Sequence, residues 1–112
     1  MNAAFLGLGT MGMGMAQNLV RSGSPCLICS EKEEKLAVFR RLGAETSARR
    51  EDAAGRDCIF LCLPDGEVVR QVLLGPEGLL PRLRPGQTVV DCSTIGYLEA
   101  RELAGVLAEK GV

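Results

Sequence analysis

Three glycines near the start of the chain have the spacing of a phosphate-binding turn. The segment Gly7-Leu8-Gly9-Thr10-Met11-Gly12 fits the pattern G-x-G-x-x-G. In such a turn the first glycine permits a tight bend, the second lets a pyrophosphate approach the backbone, and the third lets a helix pack closely on a strand. Amide groups and the dipole at the start of the helix then favour a bound anion. A glycine-rich turn that binds nothing has the same local sequence, so the flanking elements decide between the two interpretations.

The residues on either side of this turn have two different periodicities. Ala3 to Leu6 is a short continuous apolar run, typical of a parallel strand that is covered on both faces. From Met11 the apolar spacing becomes helical, and Gly23 closes the predicted helix. The three methionines of this helix are interpreted as packing residues, because flexible thioethers fill irregular gaps. The apolar positions of the helix are Met11, Met15, Ala16, Leu19 and Val20.

Composition excludes several classes of function. The 112 residues suit one domain, and a formal net charge of −1 provides no large field of one sign for nucleic acid or anionic membrane. The absence of histidine removes the commonest general base and the commonest metal ligand. The first basic residue, Arg21, lies behind the apolar stretch rather than ahead of it, which is not the order of a signal peptide. The lack of a signal-peptide pattern, together with five cysteines, indicates a reducing compartment, either the cytoplasm or an organelle matrix.

The cysteines do not predict a metal site. Cys26 and Cys29 are three residues apart within one predicted strand, so their side chains point to opposite faces. Cys58 and Cys62 also fall within a predicted strand, and four thiolates cannot easily meet. Core packing is therefore favoured over zinc. The run "EKEEK" at 31–35 is likewise interpreted as a solvated helix face rather than an acid–base site.

The rest of the chain alternates between strand and helix patterns. Predicted strands cover Pro25–Cys29, a weak segment near Glu45, Cys58–Leu63 in mid-sheet, and Gln87–Cys92. Predicted helices cover Glu31–Leu42, a short segment that Ser47 caps and that ends about Gly55, Glu67–Leu74, and Tyr97–Lys110. The first of these carries a Glu31–Lys35 pair at favourable spacing and ends before Gly43. The last is expected to turn Leu98, Leu103, Val106 and Leu107 inward.

This alternation predicts an α/β fold with a doubly wound, mostly parallel sheet of the Rossmann type, a three-layer αβα sandwich. Such a sheet binds ligands beyond the carboxyl ends of its strands, where the strand order reverses. Three turns are expected to converge there: the glycine turn, Leu63-Pro64-Asp65 after the fourth strand, and Cys92-Ser93-Thr94 after the fifth. With the glycine motif placed between a strand and a helix, the sequence predicts a dinucleotide site.

Several segments together resemble a known family over the whole chain. The chain is similar to the amino-terminal domain of the β-hydroxyacid dehydrogenases, the group of 3-hydroxyisobutyrate dehydrogenase, tartronate semialdehyde reductase and glyoxylate or succinic semialdehyde reductases, related to 6-phosphogluconate dehydrogenase. The resemblance implies that residues 1–112 are an NAD(P)-binding domain at the start of a longer enzyme. The segments that carry it are "FLGLGTMGMGMAQNL", "LGA", "LCLPDGEVVRQVLLGPEGLL", "PGQTVVDCSTI" and "ARELA".

The resemblance also implies roles for individual residues. Gly7 to Gly12 would hold the pyrophosphate, and Leu63, Pro64 and Val68 would line the cofactor pocket. Thr94 would sit by the nicotinamide, and Ser93 matches the family's substrate-contacting serine. A hydroxyl on a turn can donate to a substrate carboxylate, although Ser93 could instead cap the following helix.

The sequence departs from the family at two places. Gly96-Tyr97 stands where relatives commonly have Ser-Pro, which predicts a looser start to the last helix. Ser30, Glu31 and Lys32 stand where relatives that take NADP often have Asn-Arg-Ser or Asn-Arg-Thr. A carboxylate at this position accepts hydrogen bonds from a ribose and repels a 2′-phosphate, which favours NAD. Ser30 and Lys32 could still hold that phosphate, with Glu31 facing solvent.

The family's reaction moves hydride between nicotinamide and a β-hydroxy acid or semialdehyde, while a lysine of a later helical domain handles the proton. Lys32, Lys35 and Lys110 match no such position and are expected on solvated helix ends. We therefore expect the chain to bind dinucleotide without turnover. With the second domain present, we expect a small carboxylate as substrate and a homo-oligomer as the full-length enzyme. The alternatives are a dinucleotide-binding sensor or adaptor without catalysis, and a scaffold whose glycine turn binds nothing.

Overall fold

The computed structural model describes residues 2–112, which form one parallel sheet with helices on both faces. The strand order is β3-β2-β1-β4-β5, so the order reverses at the first strand in the chain, as in doubly wound sheets. This confirms the predicted α/β fold. The strands are β1 (Ala3–Leu6), β2 (Cys26–Cys29), β3 (Glu45–Ser47), β4 (Cys58–Leu61) and β5 (Thr88–Asp91).

The helices cross between successive strands and cover the sheet. The second predicted strand and the fourth are each shorter than expected, because Pro25, Cys62 and Leu63 belong to turns. Short 3₁₀ helices cover Arg50–Gly55 and Leu80–Arg82. The α-helices are α1 (Thr10–Arg21), α2 (Glu33–Arg41), α3 (Gly66–Leu74) and α4 (Tyr97–Glu109). None of the helices in residues 2–112 has the length and apolar character needed to cross a membrane.

The hydrophobic core lies in two parts, one on each face of the sheet. Phe5 of β1 packs with Phe39 on the face that α1 and α2 cover. Leu6, its neighbour in the strand, packs with Val69 on the face that α3 and α4 cover. Because all four residues of β1 are buried, the strand needs an uninterrupted apolar sequence rather than an alternating one.

Three of the four cysteines in the predicted strands, Cys26, Cys29 and Cys58, are buried in the core as predicted, whereas Cys62 lies one residue beyond β4 and is half-buried. Cys26 packs with the cluster under α1 and α2, whereas Cys29 packs with the opposite cluster. Burial raises the pKa of the Cys26 thiol to about 11 and that of Cys29 to about 12. Both thiols therefore stay protonated at neutral pH and are poor metal ligands. Residues 2–112 contain no cluster of three side chains suited to hold a metal ion.

Two local predictions around the second and third strands are wrong. The predicted Glu31–Lys35 ion pair does not form, because α2 begins only at Glu33 and Lys35 Nζ donates a hydrogen bond to the carbonyl oxygen of Leu8. Ser47 does not cap the short helix at 50–55, whose N-cap is Arg49. The Oγ of Ser47 instead accepts a hydrogen bond from the Arg49 amide at 3.0 Å, and this bond closes a turn before that helix.

The inner face of α4 is narrower than its sequence predicts. Leu103 and Leu107 are buried, and Val106 is half-buried. Leu98, in the first turn of α4, is 77% exposed, so the inner face does not extend to the start of the helix. Gly96 is the N-cap of α4 and provides no side-chain hydrogen bond, in agreement with the predicted loose start of this helix.

Gln87 is a buried polar residue whose side chain binds three backbone groups. Its Nε2 donates to the carbonyl oxygens of Ala54 at 2.7 Å and Arg56 at 2.6 Å, and its Oε1 accepts from the Arg84 amide. We expect Gln87→Leu to lower the free energy of unfolding by about 2 to 3 kcal/mol, because buried backbone groups lose their partners. Urea denaturation measures this loss. The exposed Gln71→Leu is the control, and an equal effect of the two changes would contradict the assignment.

Both ends of the described chain lie at the amino edge of the sheet. The carbonyl oxygen of Asn2 accepts from the amide of Asp57 at 2.9 Å, just before β4 begins. The carbonyl oxygen of Gly111 accepts from the amide of Gly86 at 2.9 Å, just before β5 begins. The turns at the opposite, carboxyl edge are therefore free of the chain ends.

Candidate cofactor-binding site

The predicted convergence of turns at the carboxyl edge of the sheet is present. A cavity of about 660 Å³ lies where the turns after β1, β2, β4 and β5 meet. This is the place where the strand order reverses, so the cavity lies at the switch point of the sheet. Its lining residues are Gly7, Leu8, Gly9, Thr10, Met11, Gly12, Ser30, Glu31, Lys32, Lys35, Cys62, Leu63, Pro64, Cys92, Ser93 and Thr94.

Each glycine of the turn has a separate steric role. Gly7 has a φ of +103°, and a Cβ there would overlap the carbonyl oxygen of Cys62, just beyond the end of β4. A Cβ at Gly12 would overlap the carbonyl oxygen of Gly7, so this glycine lets α1 pack closely on the turn. Gly9 differs from both, since a Cβ there would meet no atom within 4 Å. The space beside Gly9 is therefore open for a ligand rather than filled by the protein.

The start of α1 offers unpaired backbone donors to this space. Gly9 is the N-cap residue, and no side chain caps the helix. The first intrahelical bond runs from the Met13 amide to the Gly9 carbonyl at 2.9 Å, so the amides of residues 10–12 have no partner within the helix. No acidic residue lies in the first turn. Free amides together with the helix dipole make this turn a suitable site for an anion.

Lys35 is a cavity residue that sequence reasoning missed. Its Nζ donates to the carbonyl oxygen of Leu8 at 2.5 Å and so ties α2 to the glycine turn. An ammonium group has three hydrogens, and two remain for other acceptors. Lys32 lines the same cavity, so two cations stand against the single carboxylate of Glu31. The only sequence signal was a lysine close to the acidic residue that follows β2.

Ser93 connects the turns after β4 and β5. Its Oγ accepts a hydrogen bond from the Leu63 amide at 2.8 Å, and its own amide donates to Asp91 Oδ1 at 2.9 Å. Because Gly96 is the N-cap of α4, the alternative interpretation of Ser93 as the cap of that helix is wrong. The hydroxyl lines the cavity and keeps its proton for a further acceptor.

Two predicted positions lie elsewhere than expected. Val68 does not line the cavity; it packs against the core while its amide donates to Asp65, the N-cap of α3. Met11 does not pack on the sheet as the helical spacing predicted, since its side chain is 71% exposed at the cavity. Met13 and Met15 do pack against the core beneath α1.

A second cavity of about 200 Å³ adjoins the first and shares Gly7, Ser30, Glu31 and Leu63 with it. Arg50 lines this smaller cavity and forms no ion pair within the described part of the chain. The local sequence around Arg50 did not predict this position, because the residue is brought to the cavity by the path of the chain after β3. The remaining walls are mostly apolar: Leu6, Cys29, Ala48 and Val72.

Comparison with known proteins agrees with this geometry. The family described as the NAD binding domain of 6-phosphogluconate dehydrogenase matches residues 2–112. The chain belongs to this family. 2-(Hydroxymethyl)glutarate dehydrogenase of Eubacterium barkeri is 35% identical to this NAD-binding domain over 109 residues, which are 96% of the chain and 36% of that protein. Cytokine-like nuclear factor N-PAC of Xenopus tropicalis is 34% identical over 108 residues, 96% of the chain and 20% of that protein.

A solved structure of a dehydrogenase also matches this chain. Mycobacterium tuberculosis 3-hydroxyisobutyrate dehydrogenase superposes with a TM-score of 0.86 at 32% identity, covering 98% of the chain and 37% of that protein. The chain thus spans between a fifth and two fifths of the length of these relatives. It is an NAD(P)-binding domain of the hydroxyacid dehydrogenase family, as the resemblance implied.

Proposed function

We propose that the large cavity binds NAD(P) with its pyrophosphate on the amides at the start of α1. The observation that carries this proposal is the open space at Gly9, which adjoins the unpaired amides of residues 10–12. The glycines on either side are fixed by close backbone packing, so the donors are held in place before the ligand arrives. Lys35 supports the same turn through the carbonyl of Leu8. The residues present therefore fit a doubly charged phosphate group.

The two ends of the dinucleotide would lie on opposite sides of the glycine turn. The adenosine half belongs beside Ser30 and Glu31 at the end of β2, where a carboxylate can accept from a ribose hydroxyl. The smaller cavity, with the apolar walls Leu63 and Val72, suits the purine base. The nicotinamide half belongs beside Thr94, on the β5 side.

When bound, the nicotinamide supplies the hydride acceptor or donor for a small β-hydroxy acid or semialdehyde. The role of this chain's own residues is to hold the substrate. Ser93 lines the cavity and can donate a hydrogen bond from its hydroxyl to a substrate carboxylate. Lys32 and Lys35 lie on the adenosine side, and Lys110 donates to the carbonyl of Leu80. None of these lysines stands beside Ser93. We propose, as the family resemblance implies, that a lysine other than these three transfers the substrate's hydroxyl proton. We also propose that the full-length enzyme is a homo-oligomer.

The 112-residue chain is expected to bind NADH without catalysing hydride transfer. A fluorescence titration with NADH checks saturable binding, with ADP-ribose as competitor for the pyrophosphate subsite. Absorbance at 340 nm, with NAD⁺ and 3-hydroxyisobutyrate, checks turnover. Formation of NADH at about 1 s⁻¹ or faster, an ordinary enzymatic rate, would contradict the assignment of proton transfer to a residue elsewhere. Neither the cavity nor the comparisons favour a sensor or adaptor without catalysis.

The cofactor preference is proposed to be NAD, because Glu31 lies where a 2′-phosphate would approach. We expect Glu31→Arg to shift the ratio of NADPH to NADH affinity about tenfold or more toward NADPH, since a repulsive carboxylate becomes a guanidinium that pairs with phosphate. Parallel titrations with the two reduced cofactors measure the ratio. Glu34→Arg makes the same change of charge on an exposed position of α2 outside the cavity. Equal ratios in both variants would show that Glu31 does not contact the ribose.

A further inference from the structure

Cys62 and Cys92 are neighbours at the carboxyl ends of two adjacent strands. Leu61 of β4 pairs in register with Asp91 of β5, so the next pair along the two strands is Cys62 and Cys92. The Cys92 amide still donates to the Leu61 carbonyl at 2.7 Å, which continues the parallel pattern to this point. In-register residues on adjacent strands lie about 5 Å apart, within the Cα separations of about 4.4 to 6.8 Å that disulfides span.

No other two of the five cysteines have this relation. Cys26 and Cys58 both pair with Ala3 of β1, one from each side, so a whole strand separates them. Cys29 lies on the opposite face of the sheet from Cys26. Cys58 and Cys62 are four residues apart along one strand, about 13 Å at the usual rise. The fold therefore brings a single cysteine pair within bonding reach.

This pair is half-buried at the dinucleotide cavity, whereas Cys26, Cys29 and Cys58 are buried in the core. Cys62 and Cys92 both line the large cavity. Each lies one residue beyond its strand, where the backbone can adjust more easily than within the ladder. Small molecules in solution can reach both thiols through the cavity.

The two thiols have different surroundings. Cys62 packs beside the first turn of α1, with its Cβ 3.6 Å from the position that a Cβ on Gly12 would take. Partial burial, together with the neighbouring Cys62, raises the pKa of the Cys92 thiol.

We propose that Cys62 and Cys92 form a dithiol that a low-molecular-weight disulfide oxidises to an intramolecular disulfide, and that this bond closes the cavity to the dinucleotide. The Cys62 thiolate attacks one sulfur of the small disulfide and expels one small thiolate. Cys92 then loses its proton to solvent and attacks the Cys62 sulfur of the mixed disulfide, which expels the second small thiolate. The protein loses two hydrogen atoms, and the small disulfide is reduced to two thiols.

The effect on the cofactor rests on the proposed function. Cys62 contacts the turn that holds the amides of residues 10–12, and Cys92 precedes Ser93, which ties the two turns together. Drawing the two sulfurs together changes the width of the cavity at the pyrophosphate and nicotinamide positions. Because coupling between two sites is reciprocal at equilibrium, bound dinucleotide would in turn shift the dithiol–disulfide equilibrium toward the dithiol.

Formation of the Cys62–Cys92 disulfide is tested on the 112-residue chain with oxidised glutathione. After oxidation and alkylation of the remaining thiols, trypsin places the five cysteines in three peptides, 22–32, 57–70 and 83–101. We expect a linked pair of 57–70 with 83–101 that dithiothreitol separates. Cys62→Ser should abolish this link, whereas Cys58→Ser should retain it. Absence of the link in the unmodified sequence, or its persistence in Cys62→Ser, would overturn the proposal.

Titration with NADH tests the closure separately. The oxidised chain is expected to bind at least about tenfold more weakly than the reduced chain, with full recovery after dithiothreitol. Equal affinity of the linked and reduced chains would overturn the closure. If the reduced chain bound no NADH while the link still formed, the proposed function would fail, whereas the dithiol assignment would stand on the peptide data.

Discussion

Replacing Gly9 with valine is expected to weaken NADH binding about 100-fold while the chain stays folded. The backbone at Gly9 has φ −73° and ψ −167°, which any residue adopts, and a Cβ would meet no protein atom within 4 Å. The isopropyl group would instead fill the space from which a pyrophosphate reaches the amides of residues 10–12. Losing two charge-assisted hydrogen bonds of about 1.5 kcal/mol each corresponds to this change in affinity.

Gly14→Val is the matched control for this experiment. Gly14 also has no atom within 4 Å of an added Cβ, but it lies one turn further along α1 and outside both cavities. Fluorescence titration with NADH gives the affinities, and circular dichroism with urea denaturation gives the folded state. Unchanged NADH affinity in Gly9→Val would refute the placement of the pyrophosphate at this turn.

Gly7→Ala is expected to lower the free energy of unfolding by about 3 to 5 kcal/mol. The residue has a φ of +103°, where a side chain costs about 1 to 3 kcal/mol, and the new methyl group would overlap the Cys62 carbonyl oxygen. That oxygen belongs to backbone at the end of β4, so the overlap is relieved only by moving the turn away from the sheet. Urea denaturation measures the loss, which is a large share of the stability of an ordinary domain.

Gly23→Ala separates the two causes. Gly23 follows α1 with a φ of +85°, yet an added Cβ would meet nothing within 4 Å. The free energy of unfolding of this variant should therefore fall by only about 1 to 2 kcal/mol, which is the cost of the backbone conformation without the steric overlap. Equal losses at the two glycines would mean that close packing on Cys62 contributes nothing at Gly7.

The sequence predicted the fold and the glycine turn because both depend on local constraints. A buried parallel strand needs an unbroken apolar run, as in Ala3–Leu6, and that run is visible without knowledge of the rest of the chain. The roles of Gly7 and Gly9 likewise follow from backbone sterics within a few residues. The doubly wound, mostly parallel sheet followed from the alternation of elements and the preference for right-handed crossovers.

Several of the errors concern contacts between residues far apart in the chain. The hydrogen bond of Lys35 to Leu8 joins residues 27 positions apart, and that of Ser93 to Leu63 joins residues 30 apart. A pattern of helical spacing could only pair Lys35 with Glu31, its neighbour along the same predicted helix. The prediction for Leu98 is wrong for a similar reason, since periodicity identifies the apolar stripe of α4 but not which of its turns the rest of the fold covers.

The position of the chain ends has a practical consequence for binding measurements. The backbone of Asn2 and that of Gly111 are both hydrogen bonded to turns that precede strands, at the edge away from the cavity. A tether at either end would therefore anchor the molecule to a sensor chip with its ligand-accepting rim facing the flowing buffer. Immobilisation through the amino end and through the carboxyl end should give the same nucleotide affinity.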